Sequence, residues 1–159
     1  MAMFVHLAFE SDLKSISKNG IAISKFRKCV FAMPVGANFY ISHQWLRELK
    51  RNNGKTVLGV YFRINDNERV FVGRYNKEHQ EMSAAEAGAL ANSEDEPLGY
   101  EVLINRRIDR REIFKIKRLP QNTGWRYYPE SHGKEPCPCP VCQRGQYGAN
   151  GIRRRSEEV

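Results

Sequence analysis

The chain has 159 residues, 41% of them hydrophobic and 28% charged, with 26 Lys/Arg against 18 Asp/Glu and a formal net charge of +8. That length fits one domain around one core, and two Trp, seven Tyr and eight Phe argue against wholesale disorder. No apolar run approaches the roughly 18 residues of a membrane helix, and Met1–Leu7 lacks signal-peptide architecture, so the sequence predicts a soluble, cytoplasmic protein without a membrane partner. Three of the four cysteines crowd into Cys137–Cys142, which is unlike a secreted disulfide framework.

The charge is unevenly spread. Residues 1–55 hold nine Lys/Arg against three acids, residues 100–118 hold seven against three, and the acids concentrate between Asp66 and Glu96. A basic surface favours polyanions, which makes nucleic acid a candidate partner; scattered solvating charge is the ordinary alternative.

In chain order, Phe4-Val5-His6-Leu7 reads as a short strand leading at once into helix chemistry. Ser11 or Asp12 can cap the helix, Leu13 and Ile16 repeat at helical spacing, and Asn19-Gly20 supplies the stop. Ile21–Ile23 is a further short strand candidate, and the basic Lys25-Phe26-Arg27-Lys28 precedes Cys29–Met33, a buried strand stopped by Pro34. Asn38 is the candidate N-cap of one helix whose apolar stripe is Ile41, Trp45, Leu46 and Leu49. Thr56–Ile64 alternates, with Leu58, Val60, Phe62 and Ile64 on one side, and Asn65-Asp66-Asn67 predicts a hairpin to Arg69–Val72. Ser83-Ala84-Ala85-Glu86 is a capping box opening an alanine-rich helix through Ala91.

The next strand, Tyr100-Glu101-Val102-Leu103-Ile104, carries the residue on which a functional reading turns. With Val102 and Ile104 on one face, Glu101 shares the other with Leu103. A carboxylate on a half-buried strand is costly unless it is exposed, paired or used. The ordinary reading has it facing solvent at a sheet edge or pairing with Arg106 or Arg107. A tight connection over Arg107–Arg110 leads to a last alternating strand, Glu112–Lys117. Antiparallel-looking strands with two or three helices give an α+β class.

Three features stand in a recognisable order: a strand with His6 before a helix closing on Asn19-Gly20-Ile21, the strand Val30-Phe31-Ala32 before Ala37-Asn38-Phe39-Tyr40, and the late strand with Glu101. This order resembles the ADP-ribosyltransferase superfamily, in particular the poly(ADP-ribose) polymerase-like branch and the bacterial toxins that modify nucleic acid bases. The resemblance covers about Phe4–Lys117. Val30 stands where the polymerases carry a tyrosine beside Phe-Ala, and Leu7 stands where they carry a glycine.

The resemblance implies a split antiparallel sheet that binds NAD, and a bacterial or phage toxin or effector moving ADP-ribose to a nucleic-acid or protein acceptor. An inhibitory partner protein is a further implied partner. Cleaving the nicotinamide–ribose bond builds positive charge on the ribose, which a carboxylate stabilises; Glu101 is the catalytic candidate. His6 is the candidate for the adenosine-side ribose and Tyr40 for stacking on nicotinamide, with Phe39 or His43 as substitutes. Lys25–Lys28 is the candidate for the pyrophosphate.

Residues 1–119 form this candidate domain and 120–159 a tail of different composition. In the tail, Cys137, Cys139 and Cys142 have a C-x-C-x-x-C spacing stiffened by prolines, a half-motif for zinc with His132 or Cys29 as a fourth ligand. Reduced, non-ligating thiols are the alternative. Trp125, Tyr127 and Tyr128 near Arg126 either stack on single-stranded bases or cover a sheet face. The competing functional hypothesis is therefore a non-enzymatic, zinc-stabilised nucleic-acid-binding module in which Glu101 and His6 are merely structural.

Overall fold

The computed structural model describes residues 1–53, 55–93, 95–121 and 124. Its elements are β1 (Ala2–Phe9), a 3-10 turn (Glu10–Asp12), α1 (Leu13–Asn19), β2 (Val30–Pro34), α2 (Phe39–Ser42), α3 (Leu46–Asn53), β3 (Val57–Ile64), β4 (Arg69–Arg74), β5 (Gln80–Ser83), α4 (Ala84–Ser93), β6 (Tyr100–Ile104) and β7 (Ile113–Arg118). The strands make one seven-stranded antiparallel sheet in the order β5-β4-β6-β2-β1-β3-β7. The expected α+β class is the one observed.

The sheet has a narrow waist. β1 and β3 pair continuously from Ala2↔Ile64 to Phe9↔Val57, whereas β1 and β2 pair only at Phe4↔Pro34 and Val5↔Met33. Beyond Val5 the two strands part, so the sheet is two halves joined at a seam two residue pairs long. The main core lies on the face carrying Phe4, Ala8, Val30, Ala32, Val60, Phe62, Val102 and Ile104, where Ile16, Ile21, Ala84, Ala87 and Ile108 also pack. The opposite face buries Val5, Met33 and Tyr61, with Leu7, Val35 and Trp45 packed against them. Burial of this kind stabilises by about 1.5–3 kcal/mol for each large apolar side chain taken out of water.

Local chemistry accounts for most element ends. Asn38 Oδ1 accepts from the backbone N–H groups of Tyr40 and Ile41, as an N-cap does. Ser83 and Glu86 form the reciprocal capping box, with Ser83 N donating to Glu86 Oε2 at 2.7 Å and Glu86 N donating to Ser83 Oγ at 3.2 Å. Gly20 ends α1 at φ +78, and a Cβ there would meet Ile108 O at 2.1 Å, so only glycine fits. Asp12 occupies the cap position of α1 without a side-chain bond, because the 3-10 turn at Glu10–Asp12 already leads the chain in.

Three expectations are corrected. The turn at Asn65–Glu68 forms, with Glu68 N donating to Asn65 O at 3.1 Å, but β3 and β4 do not pair: β1 and β7 take both edges of β3, and the chain crosses to the other half-sheet. Ile21–Ile23 contributes one bridge, Ile21↔Ile108, in place of a strand. The single helix after Asn38 is two helices, α2 and α3, interrupted at His43–Trp45. At the interruption the buried His43 and Gln44 bond back to Phe39 O and Ile41 O, and Trp45 Nε1 donates to Tyr100 O at 2.6 Å. The polar strand β5, absent from the sequence reading, pairs along β4. The packed body also runs past residue 119. Gln121 Oε1 accepts from Val57 N at 2.9 Å, and Gly124 lies against Arg47 and Gln44. Among the described residues, no helix is long and apolar enough to cross a membrane.

Candidate active site around Glu101

β6 is an inner strand between β4 and β2, so nothing at its position lies at a sheet edge. Val102 and Ile104 enter the main core, and Glu101 and Leu103 face the other way, as alternation predicts. Glu101 is 6% exposed, and among the described residues it is the only buried Asp, Glu, Lys or Arg. Its partners are neither of the arginines next in sequence. Arg106 bonds Glu68 and Glu112 at 2.7–2.8 Å, and Arg107 donates to Asn19 O. Glu101 Oε1 instead accepts from Arg27 Nη1 at 2.8 Å and lies 3.1 Å from His79 Nε2. Both contacts fall on Oε1; Oε2 has no partner among the described residues.

The neighbours are built for this pairing. Arg27 leaves a turn closed by Lys28 N donating to Ser24 O at 2.9 Å, and its guanidinium lies 5.3 Å from the centre of the Phe31 ring. His79, in the turn between β4 and β5, reaches over Gly73, the residue opposite Glu101 in the β4–β6 ladder. A Cβ on Gly73 would meet Glu78 O at 2.7 Å and His79 Cγ at 2.9 Å, so the missing side chain is what admits the imidazole. His79 Nδ1 is 2.9 Å from Lys77 O, a pure acceptor, and therefore carries its proton. Its Nε2 faces Glu101 Oε1. Cys29 lies within the influence of Arg27 and Glu101; burial, the largest effect, raises its thiol pKa, so it is a poor nucleophile.

The remaining sequence candidates are arranged as follows. His6 is half-buried at the seam, where its Nδ1 donates to Phe31 O at 2.7 Å across the gap left by the parting strands. Burial lowers its pKa, against the opposing pull of the Phe31 carbonyl and Asp12, and keeps it neutral at pH 7. By register His6 belongs to the face of Phe4 and Ala8, opposite that of Glu101. The connection between them is indirect: His6 holds the Phe31 carbonyl, the Phe31 ring supports Arg27, and Arg27 holds Glu101. Tyr40 hydrogen-bonds to neither; its enclosed hydroxyl has no partner among the described residues, and burial pushes its pKa up to about 12.

His43 is 2% exposed, with both nitrogens engaged internally. Nδ1 donates to Phe39 O at 2.7 Å, and Nε2 accepts from Tyr61 O–H at 2.8 Å, so no ring nitrogen is left for a ligand. Burial lowers its pKa, the Phe39 carbonyl opposes, and Lys117 lowers it further. Phe39 stacks on His43 with ring centres 4.0 Å apart, and at 41% exposure it keeps one face open. His132, Cys137, Cys139 and Cys142 lie outside the described residues. Among those described, no group of three or more His, Cys, Asp or Glu could hold a metal.

Two residues sequence reasoning missed are Arg27 as a partner of Glu101, having been grouped with its basic neighbours, and His79 altogether. The only sequence trace of His79 is a histidine soon after a glycine that ends a β-prone run. What makes it matter is a strand pairing with Glu101, 22 residues away. No protein-family model matches the chain, and no curated protein or solved structure is significantly similar to it.

Proposed function

We propose that this protein is an NAD-dependent ADP-ribosyltransferase whose reaction centre is Glu101. The observation that carries the reading is a carboxyl buried on an inner strand, held on one oxygen by Arg27 and His79 and, among the described residues, without a partner on the other. A carboxyl is costly to bury unless it is paired or used, and among the described residues the pairing here engages one of its two oxygens. Two further observations fit NAD: the orphaned, enclosed hydroxyl of Tyr40 awaits a hydrogen-bond partner, and the exposed face of Phe39 can take a flat ring.

NAD supplies an electrophilic ribose carbon as its bond to nicotinamide breaks and nicotinamide departs with the bonding pair. The carboxyl of Glu101 stabilises the positive charge that builds at that carbon and accepts the proton of the acceptor as the new bond forms. Arg27 and His79 fix the Oε1 side, which turns Oε2 toward the reacting atoms, and the Arg27 guanidinium offers unused donors to the pyrophosphate. His6 acts through the Phe31 carbonyl as a positioning residue.

The experiment uses NAD labelled in its adenylate half, incubated with purified protein and single-stranded DNA, RNA or cell lysate. Label passing to a macromolecule with wild type and not with Glu101→Ala is the expected result; an inert wild type contradicts the proposal. The competing reading, a zinc-stabilised nucleic-acid-binding module without chemistry, is favoured by one observation, an exposed Phe26 between cationic side chains. It predicts binding of nucleic acid with no NAD turnover.

A further inference from the structure

The turn that delivers Arg27 to Glu101 does something else with its neighbours. Ser24 N donates to Cys29 O and Lys28 N donates to Ser24 O, each at 2.9 Å, while Ser24 Oγ accepts from Phe26 N at 3.3 Å. Lys28 takes a left-handed φ of 51 to close the turn. In this fixed frame Arg27 turns inward and Phe26 turns out, 98% exposed, between the exposed Lys25 and Lys28. Ile23, at 41% exposure, stands at the base of the same turn. A large aromatic left almost wholly in water, on a loop held rigid by its own hydrogen bonds, has no role in the core.

The residues on either side of Phe26 in this turn are cationic, and Lys25 and Lys28 are both exposed. The Ile21↔Ile108 bridge, made by Ile21 N to Ile108 O at 2.9 Å and Ile108 N to Ile21 O at 3.0 Å, pins the base of this segment to the connection after β6. On that connection Arg107 and Arg110 are exposed, with Arg107 donating to Asn19 O, and Asp109 between them is engaged by Arg111 at 3.1 Å. The surface is thus one ring flanked by cations. One ring is too little apolar area to anchor a bilayer, but it suffices to stack a base, while lysines on either side match the phosphates of the same strand. A duplex keeps its bases stacked inside and offers the ring nothing.

From this we infer that the 24–29 turn is a binding site for single-stranded nucleic acid, in which Phe26 stacks on an unpaired base and Lys25 and Lys28 hold the flanking phosphates. The binding site stands on its own geometry. Its further role as the acceptor subsite, which brings an unpaired base beside Glu101 by way of Arg27, rests on the transferase reading.

Fluorescence anisotropy with short labelled single-stranded DNA and RNA of mixed sequence tests the site on the full chain. Phe26→Ala is expected to weaken binding about tenfold, and Phe26→Trp to restore it. The joint change Lys25→Ala and Lys28→Ala is expected to reduce the slope of log affinity against log salt by about 1.4. Melting curves of the variants should match wild type, since Phe26 packs on nothing. The site is overturned if wild type does not bind single strands, if Phe26→Ala binds them as wild type does, or if only the duplex or phosphatidylserine vesicles respond to Phe26. Nicotinamide release from NAD, read on the same samples without nucleic acid, fails independently: its absence removes the transferase and leaves the site, whereas unchanged binding by Phe26→Ala does the reverse.

Discussion

Gly73 and His79 show how a site can depend on an atom that is missing. The space above Gly73 holds the imidazole that pins Glu101, and a methyl group there would press within 3 Å of the ring and of Glu78 O. Gly73→Ala is therefore expected to cost about 1–3 kcal/mol by overpacking. It should also displace the ring, lowering NAD turnover more than tenfold; melting and nicotinamide release on one preparation check both. His43 gives a second prediction. Its folded pKa is lowered from 6.5, so its contribution to stability is complete above about pH 6.5. It is lost as pH falls toward the lowered folded value, because the unfolded chain takes up the proton first. His6, also lowered, adds to the same acid limb. The urea midpoint of wild type should fall between pH 6.5 and 5, and His43→Asn should flatten that fall while costing about 1–3 kcal/mol at pH 7. The facing of Glu101 was legible from alternation alone. Its partners were not, since Arg27 and His79 reach it from 74 and 22 residues away.

Among the elements, caps were legible and pairings were not. Asn38 and the Ser83–Glu86 box use bonds within a few residues, and sequence carries such bonds directly. The false hairpin at Asn65–Asn67 arose because a turn signal fixes only the local bend. Which strands pair is decided by burial, and β3, enclosed on both faces over nearly all its length, needs a neighbour on each edge. The break between α2 and α3 was hidden by a helical stripe that continues through it; the sign lay in the polar Gln44 amid that stripe. Gln44 is fully buried, donating to Ile41 O and Pro97 O and accepting from Gly99 N at 2.6 Å, which ties the break to the lead-in of the Glu101 strand. Gln44→Leu keeps the volume and removes the side-chain partner of Pro97 O and Gly99 N, while Ile41 O keeps its backbone donors. We expect a loss of about 2–4 kcal/mol in chemical denaturation, far above the roughly 0.5 kcal/mol of a surface change. An unchanged midpoint would show that the tie has no energetic weight.

Across the whole molecule, two half-sheets meet at the short β1–β2 seam, with His6 bridging the gap and Glu101 one strand beyond it. Length, class and a basic balance were readable from composition. Strand order was not, because it depends on contacts between residues far apart in sequence. The Phe26 turn is tied to the connection after β6 by the Ile21↔Ile108 bridge, and Arg27 runs from that turn to the Glu101 carboxyl. The most direct measurement is the rate of nicotinamide release from NAD by wild type and by Glu101→Gln, with melting followed in parallel. The amide keeps the shape but loses the charge; because Arg27 is 38% exposed, the lost pair should cost only about 1–2 kcal/mol, and the fold survives. Measurable release by wild type and a fall of about a hundredfold or more in the variant are expected if Glu101 is the reaction centre. Equal rates in the two proteins, or none in wild type, would rule that role out.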